Sequence, residues 1–518
     1  MCIRDRFCER AEAVRPGIRP TEAVAELCER LDRLPLALEL AAARTKLLAP
    51  ELLLERIGER LDILRGTRDA DERHATLRAT IAWSYDLLDE DEQRLFASLS
   101  VFRGGCTLEA AEAVCDAELD PLASLLDKSL LRRRTGRLGE ERYWMLETIK
   151  EFATERLVES GQAEPIRGRH AELMLEIARS AHLRPEDVAV GEQRIDRVLA
   201  ELDDVREALE WALLADIVLA AELFTRLEML LVTTAPPERL RWAEALLAVE
   251  ASLPRELWAR VLRTSGAVLI LSGQPELGEQ RCDQALALFR ELGDDNAAVE
   301  LQARYVVYSA PRMDSDEVRR RVAEVRLLDA SVQHPHVEPQ MLSTLAELAE
   351  RQNDFEEARA LYWQSIDASV ATGFVNWELW QLTAVCQLEL VGGTTEAAGA
   401  AGRRALVRAR ELRDHPLTLR AFTGLAVVAA RQGDLDTAGT LWGLVLEELP
   451  RAALLRPTVL YELAAPIAGL TDESFLAAVE VGRSSTIEEA LSFALGAPTS
   501  PSRPSPPNSS RTNSTATE

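Results

Sequence analysis

Three groups of residues have side chains that could do chemistry. His334-Pro335-His336, with Glu338 close by, sets two imidazoles two positions apart on a proline turn. With no cysteine near, a metal there would lack a full ligand set, and the segment reads as a surface loop. None of the six histidines pairs with a plausible Ser or Cys nucleophile, so a hydrolase has no support. Arg132-Arg133-Arg134 and Arg137 put positive charge on a short hairpin, and Pro121–Lys128 before it would be a DNA recognition helix. That helix offers only Ser124 and Lys128 to read bases, beside Asp127, which phosphate repels. Base readout wants several Arg, Asn or Gln, so DNA contact is not expected. Trp363, Trp377 and Trp380 could line a groove, although such residues more often fill helix interfaces. A phosphate cradle of the form G-x-x-x-x-G-K-[ST] cannot be built, because the chain contains no Gly-Lys pair. No catalytic residue and no metal ligand is assigned, and the chain as it stands is not expected to hydrolyse ATP.

The elements that would hold these residues centre on Thr76–Leu157. Leu77, Ile81, Tyr85 and Leu88 recur at helical spacing. Asp89 followed by Glu92 reads as a capping box opening a second helix that turns Leu95, Phe96 and Leu99 inward. Gly104-Gly105 breaks the chain, Thr107 caps Leu108–Val114, and Pro121 opens a helix ending near Lys128. Ser129–Arg134 and Arg142–Met145 read as a hairpin turning at Gly136, and Leu146–Leu157 is a closing helix. Three helices, a two-stranded wing and a last helix predict a winged-helix domain.

Upstream, Ala11, Val14, Ala23, Val24, Leu27 and Leu31 predict helix, as does the stretch after Leu34-Pro35, where Pro suits a first turn. Here a resemblance becomes specific. LCERLDRLPLALELAAARTKLLAPELLLERI from Leu27, HATLRATIAWSYDLLDEDEQRLFASLSVFRGGCTLEAAEAVC from His74 and YWMLETIKEFATERL from Tyr143 resemble, in that order over residues 7–160, bacterial NB-ARC-type STAND signalling ATPases. The resemblance implies an ADP- or ATP-binding site shared with a nucleotide-binding core absent from this chain. Pro35, with Leu34 and Leu36, matches the proline that packs on adenine, and Arg33 stands where the family has Gly. Met145, Leu146 and Glu147 match a Met-His-Asp motif that senses the β-phosphate, with Leu in place of the hydrogen-bonding His. MCIRDRFCER has no periodicity and resembles an assembly junction, so the natural N-terminus is expected to be missing; no nucleotide is expected on this chain alone.

Downstream, Glu172–Arg179 and Glu192–Leu214 predict helices, with Leu209 and Trp211 as core anchors. A 40-residue period then appears. Gly273, Met313, Asn353, Gly393 and Gly433 mark turns, and five residues later come the mostly small Gly278, Val318, Ala358, Ala398 and Ala438. Small–large pairs recur at Ala245-Leu246, Ala285-Leu286, Ser365-Ile366, Ala405-Leu406 and Val445-Leu446. Pro311 is expected to perturb the unit near residue 325. GQPELGEQRCDQALALF, NDFEEARALYWQSI and GDLDTAGTLWGLVL resemble tetratricopeptide repeats, which implies a solenoid with a groove for a protein or peptide. Phe475–Leu495 reads as two helices separated by a Gly482 stop and a Ser485/Thr486 cap. The Pro/Ser/Thr-rich end is expected to be disordered.

The formal net charge of −26 disfavours non-specific binding to nucleic acid or anionic membrane, and 47% apolar residues allow real cores. Seven scattered cysteines without a CxxC pair suggest a reduced, cytoplasmic protein. No run approaches the roughly 18 apolar residues of a membrane span. The expected fold is mainly α: a helical domain (1–66), a winged helix with a small β-hairpin (67–160), a connector (161–215), an α-solenoid of tetratricopeptide-like repeats (216–470), a helix pair (471–496) and a tail (497–518). The expected function is the regulatory portion of a STAND-type ATPase controlling transcription. Its winged helix would hold the core closed around ADP, and partner binding in the repeats would permit exchange and self-association. Two alternatives stand beside it, a stand-alone repeat scaffold and a winged-helix DNA-binding regulator.

Overall fold

A computed structural model of the chain describes residues 7–8, 10–12, 18–19, 21–31, 38, 41–43, 45, 48–54, 78, 80–136, 138–181, 195–233, 238–412, 415–449 and 457–495. Arg33, Leu34, Pro35, Leu36 and Arg137 lie outside them, as do MCIRDR and the tail. The fold is mainly α with one two-stranded antiparallel sheet. It divides into two compact units, Met1–Val232 with Pro237–Leu301, and Thr233–Pro236 with Gln302–Glu518.

The first unit opens with α1 (Glu22–Arg30), whose Val24 and Leu27 meet Phe7, Ala11, Leu38 and Leu53 in a small core. Trp83, from helical residues 80–86, joins that core and packs the N-terminal helices against the start of the winged helix. In the winged helix, Asp89 and Glu92 form the expected capping box at the start of α2 (Glu90–Ser98), a feature that contributes about 1 kcal/mol. Thr107 caps α3 (Leu108–Cys115) as read from the sequence. Tyr85, Phe96 and Phe152 pack as a trio with ring centroids 5.6 to 6.4 Å apart, tying α2 to the closing helix α5 (Glu147–Glu159).

The second strand and the closing helix each start one residue from expectation, and two other starts differ by more. Helix α4 (Leu119–Asp127) begins two residues before Pro121, which occupies its first turn, where a missing N–H costs little. Strand β1 (Arg132–Thr135) begins at Arg132 rather than Ser129, and pairs with β2 (Glu141–Trp144) in the register Arg132↔Trp144 to Thr135↔Glu141. Ser129 adopts φ +59°, and the N–H groups of Leu130 and Leu131 close on the Leu125 carbonyl. Both leucines are thereby buried under α4 before pairing can begin.

The rest of this unit is helical: α6 (Ala163–Ser180), α7 (Ile195–Ala200), α8 (Leu202–Ala215), α9 (Ile217–Arg226), α10 (Glu228–Thr233), α11 (Arg239–Leu247), α12 (Arg255–Leu271) and α13 (Pro275–Leu292). The single helix expected over 192–214 is thus two, α7 and α8. Helices α12 and α13 cross closely where Gly266 meets Gly278, the first of the small positions in the 40-residue register. α14 (Asp295–Ser309) contains the division between the units.

The second unit holds α15 (Ser315–Val332), α16 (Val337–Arg351), α17 (Phe355–Thr372), α18 (Val375–Gly392), α19 (Thr395–Leu412), α20 (His415–Arg431), α21 (Leu435–Glu448), α22 (Pro457–Ala468), α23 (Glu473–Ser484) and α24 (Ile487–Ala494). Val318, Ala358, Ala398 and Ala438 are all fully buried, as repeated close crossings require. Pro311 does perturb its unit: a 3-10 turn, Ala310–Arg312, replaces the left-handed turn seen at Asn353 and Gly433. Gly393 also departs, with φ −134°. Among the described residues no helix is long and apolar enough to cross a membrane. Cys28, Cys106, Cys115, Cys282 and Cys386 are buried, and burial pushes the thiols of Cys115, Cys282 and Cys386 up to about 12, which leaves them unreactive.

Candidate functional site

The side chains of the candidate DNA-reading surface have partners within the chain. On α4, Leu122 and Leu125 face the core, and the two polar candidates, Ser124 and Lys128, both bind the carboxylate of Glu92 on α2. Burial alone would raise the Glu92 pKa; the Lys128 ammonium, the Ser124 hydroxyl and the Asp89 N–H outweigh it and hold it below the usual carboxylate range. On the wing, Arg132 and Arg134 lie 6.0 and 5.5 Å over the Trp144 ring. Arg134 also donates to the Gly104 carbonyl at 2.8 Å, and Arg133 pairs with Glu141.

The wing is fastened to the connector helices by groups that the sequence reading did not single out. Arg142 is buried and donates to Glu201 through both terminal nitrogens and to the Gly105 carbonyl at 2.6 Å. Burial works against this cation, but Glu201 more than offsets it, so its pKa is raised. Gly105 sits at φ +77°, and a Cβ there would stand 2.5 Å from the Tyr143 carbonyl, so the sharp turn into the Cys106–Tyr143 bridge demands glycine. Asp204, fully buried at the start of α8, accepts from the N–H groups of Arg103 at 2.6 Å and Gly104 at 2.9 Å. The same carboxylate lies 3.1 Å from Nε2 of His170 on α6, whose ring meets Phe102 edge-on. One buried aspartate thus ties the turn before the wing to two connector helices. The sequence does carry a signal for it: Asp204 lies one helical turn before Ala208 and two before Ala212, on the buried stripe of α8.

Beside this joint lies a cleft of about 410 Å³ between α5, α6 and α8. Glu147, Lys150 and Glu151 line one wall, with His170 and Trp211 opposite. Trp211 was expected to be a core anchor like the fully buried Leu209; instead it is half-buried and donates from Nε1 to Glu164 at 2.8 Å. Lys150 has no ion-pair partner among the described residues, and its pKa is lowered, with burial outweighing the nearby carboxylates. Of the residues matched to a nucleotide contact, Glu147 lines this cleft, Met145 packs against the winged-helix core and Leu146 starts α5 without a side-chain cap. Pro35 and Leu34 lie outside the described residues. A carboxylate, a core-packed thioether and an apolar side chain do not fit a phosphate group by themselves.

In the second unit the histidine pair is an aromatic support. His336 is buried, not on a surface loop as its Pro-rich sequence suggested, and stacks on Phe374 at 4.0 Å, with Trp377 stacked beyond at 5.5 Å. No group of three metal-binding side chains occurs among the described residues. Trp377 donates to the Pro339 carbonyl, whereas Trp363 and Trp380 lie under Arg404 and Arg420. On α16, burial and neighbouring Glu350 push the Glu347 carboxyl up to about 7. Because the folded pKa lies above the unfolded one, this group's contribution is fully present below about pH 4.5 and is lost as pH rises through 7. In urea titrations, Glu347→Gln should therefore stabilise the second unit at pH 8 relative to wild type, with the advantage vanishing at pH 4. An advantage equal at both pH values would rule out the raised carboxyl.

Known proteins resemble parts of this arrangement. Residues 88–158 match the family described as winged helix-turn-helix domain. A "Putative HTH-type transcriptional regulator" of Mycobacterium tuberculosis is 33% identical over 316 residues, covering 57% of this chain and 35% of that protein; its Mycobacterium bovis counterpart matches equally. An uncharacterized Mycobacterium tuberculosis protein is 36% identical over 179 residues, covering 32% of this chain and 45% of its own length. The chain thus spans only about a third of the longer relatives. A Pyrococcus horikoshii STAND protein with a tetratricopeptide repeat sensor covers 96% of this chain and 71% of its own at 17% identity and a TM-score of 0.41, a likeness too distant to argue from.

Proposed function

We propose that this chain is the sensing and coupling portion of a larger transcription regulator of the STAND type. In this reading the winged helix works by packing within the protein, and the repeats take a protein or peptide partner. The observation that carries it is the commitment of Ser124 and Lys128 to Glu92, together with the fastening of the wing through Arg142–Glu201 and Asp204. A surface so engaged is built to hold connector helices, not to read bases. The names of the mycobacterial relatives support transcription as the output, and the motifs around Leu34-Pro35 support an ATPase parent. Nucleotide control and self-association belong to that parent.

The direct test is titration of the full chain with labelled duplex DNA at several salt concentrations. Weak binding without sequence preference is expected, no tighter than about 10⁻⁴ M at physiological salt. A tight complex that weakens steeply with salt and disappears in Arg132→Ala/Arg133→Ala would overturn the packing role and make the winged helix a DNA-binding module.

A further inference from the structure

Helix α18 is covered on nearly all sides, and from its second turn to Val391 its exposed or half-buried residues form one stripe: Trp380, Ala384, Gln387 and Val391. The 40-residue register places Glu347 and Arg351 of α16, and Arg420 and Arg431 of α20, at equivalent positions, and these too retain exposure. Trp380 is 38% and Val391 72% exposed, unusual for large apolar side chains in a packed helix. With neighbouring Glu350 counted, three arginines face two glutamates here, a small positive balance in a chain of net charge −26.

Its centre is Arg420. The guanidinium lies 4.5 Å over the Trp380 ring and donates from one terminal nitrogen to Gln387 at 2.5 Å, so its plane is fixed from two sides by uncharged groups. No carboxylate of the described residues comes within ion-pair distance, and its Nε has no acceptor. Burial lowers its pKa by more than the neighbouring Tyr362, Glu347 and Glu350 raise it, so its lost hydration is only partly replaced. Nearby Glu350 is engaged by the Tyr362 hydroxyl. On the same register, Gln340 of α16 is 1% exposed with neither amide atom hydrogen-bonded, a second unsatisfied polar group on this face.

We infer that this face binds an acidic peptide segment, with a peptide carboxylate seated on the Trp380-backed guanidinium of Arg420. A planar guanidinium held rigid is suited to two parallel hydrogen bonds to a carboxylate. An extended hexapeptide, at roughly 3.3 Å per residue, covers the two helix spacings of about 8–10 Å from α16 to α20. That reach favours a peptide over a small acid, and Val391 with the rest of the Trp380 ring accommodates its apolar side chains. The inference rests on the reading that the repeats take a peptide partner.

The test selects hexapeptides from a random library on the full chain and measures their affinity for variants. Selected peptides should carry Asp or Glu, and Arg420→Gln, or Glu→Gln in the peptide, should each weaken binding at least tenfold. Arg420→Lys, which keeps the charge without the planar fork, should weaken it several-fold. Trp380→Leu supplies a second probe should Arg420→Gln melt early. Binding should tighten from pH 8 to pH 6 as Glu347 gains a proton, and Glu347→Gln should flatten that profile. Facing Glu347 are Glu350 and Arg351 of its own helix, Tyr362 of α17 and Arg420 of α20. Peptides without carboxylates, or unaffected by Arg420→Gln, would overturn the site while leaving peptide binding by the repeats intact. Glutarate binding as tightly as the peptides would replace the peptide with a small acid. Failure to select any peptide would overturn both the site and the reading beneath it.

Discussion

Replacing Asp204 with alanine should destabilise the first unit by about 3–5 kcal/mol, as expected when one partner of a buried charged network is removed. The carboxylate holds two backbone N–H groups and one imidazole, and all three lose this partner when it is gone. Asp204→Asn should fall between, because its amide group would turn a donor toward Arg103, Gly104 or His170. The contrast is Arg133→Ala: Arg133 and Glu141 are each 61% exposed, so their pair is worth at most about half a kcal/mol. Hydrogen exchange resolves the effect locally. Asp204→Ala should speed exchange at Arg103, Gly104, Cys106 and Tyr143, where turn and wing meet α8, and leave α16 to α24 unchanged. Unaltered protection at Gly104 would show that the aspartate does not hold the joint.

What was legible in the sequence was what local spacing encodes. The Asp89/Glu92 box and the Thr107 cap depend on residues three apart, and both occur as read. The register of Gly278, Val318, Ala358, Ala398 and Ala438 was legible because every crossing imposes the same demand for a small side chain. The joint was not, because Asp204 meets Arg103 and Gly104 a hundred residues away: its place on the apolar stripe of α8 signals burial, but nothing local names its partners. The hairpin start was misplaced because Leu130 and Leu131 look like strand residues until tertiary packing draws them under α4. Trp211 resembles a core residue by type alone, yet a cleft opens beside it. Of the residues matched to a nucleotide contact, Met145, Leu146 and Glu147 fall among the described residues, and Met145 and Glu147 part at the α5 start: one in the core, one in the cleft.

Gly482 shows the same limit in reverse, and it carries the other large expected effect. By type it reads as a helix stop, but it lies within α23 and its helix runs on to Ser484. Its purpose is contact: a Cβ there would sit far inside contact distance of the Thr440 carbonyl on α21, and one on Gly443 would do the same against Val479. At Gly439 the added carbon would stand 2.5 Å from the Phe475 carbonyl. These obstacles are backbone, so no rotamer change relieves them and the helices must part. Two terms of opposite sign compete in Gly→Ala. Helix propensity favours alanine by about 1 kcal/mol, whereas overpacking costs about 1–3 kcal/mol, and more where neither side can yield. With backbone on both sides, overpacking wins, so Gly482→Ala and Gly443→Ala should each lose about 2 kcal/mol or more. Phe475 and Val479, buried against Trp442 and Val445, would lose their packing with them. Gly469→Ala is the control, since nothing lies within 4 Å of its added carbon. In hydrogen exchange on the full chain, α23 and α24 should lose protection in both variants while α12 and α13 keep theirs. Full protection of α23 in Gly482→Ala would mean that the two helices can separate without cost, and that the glycines are not what lets this pair close the end of the repeats.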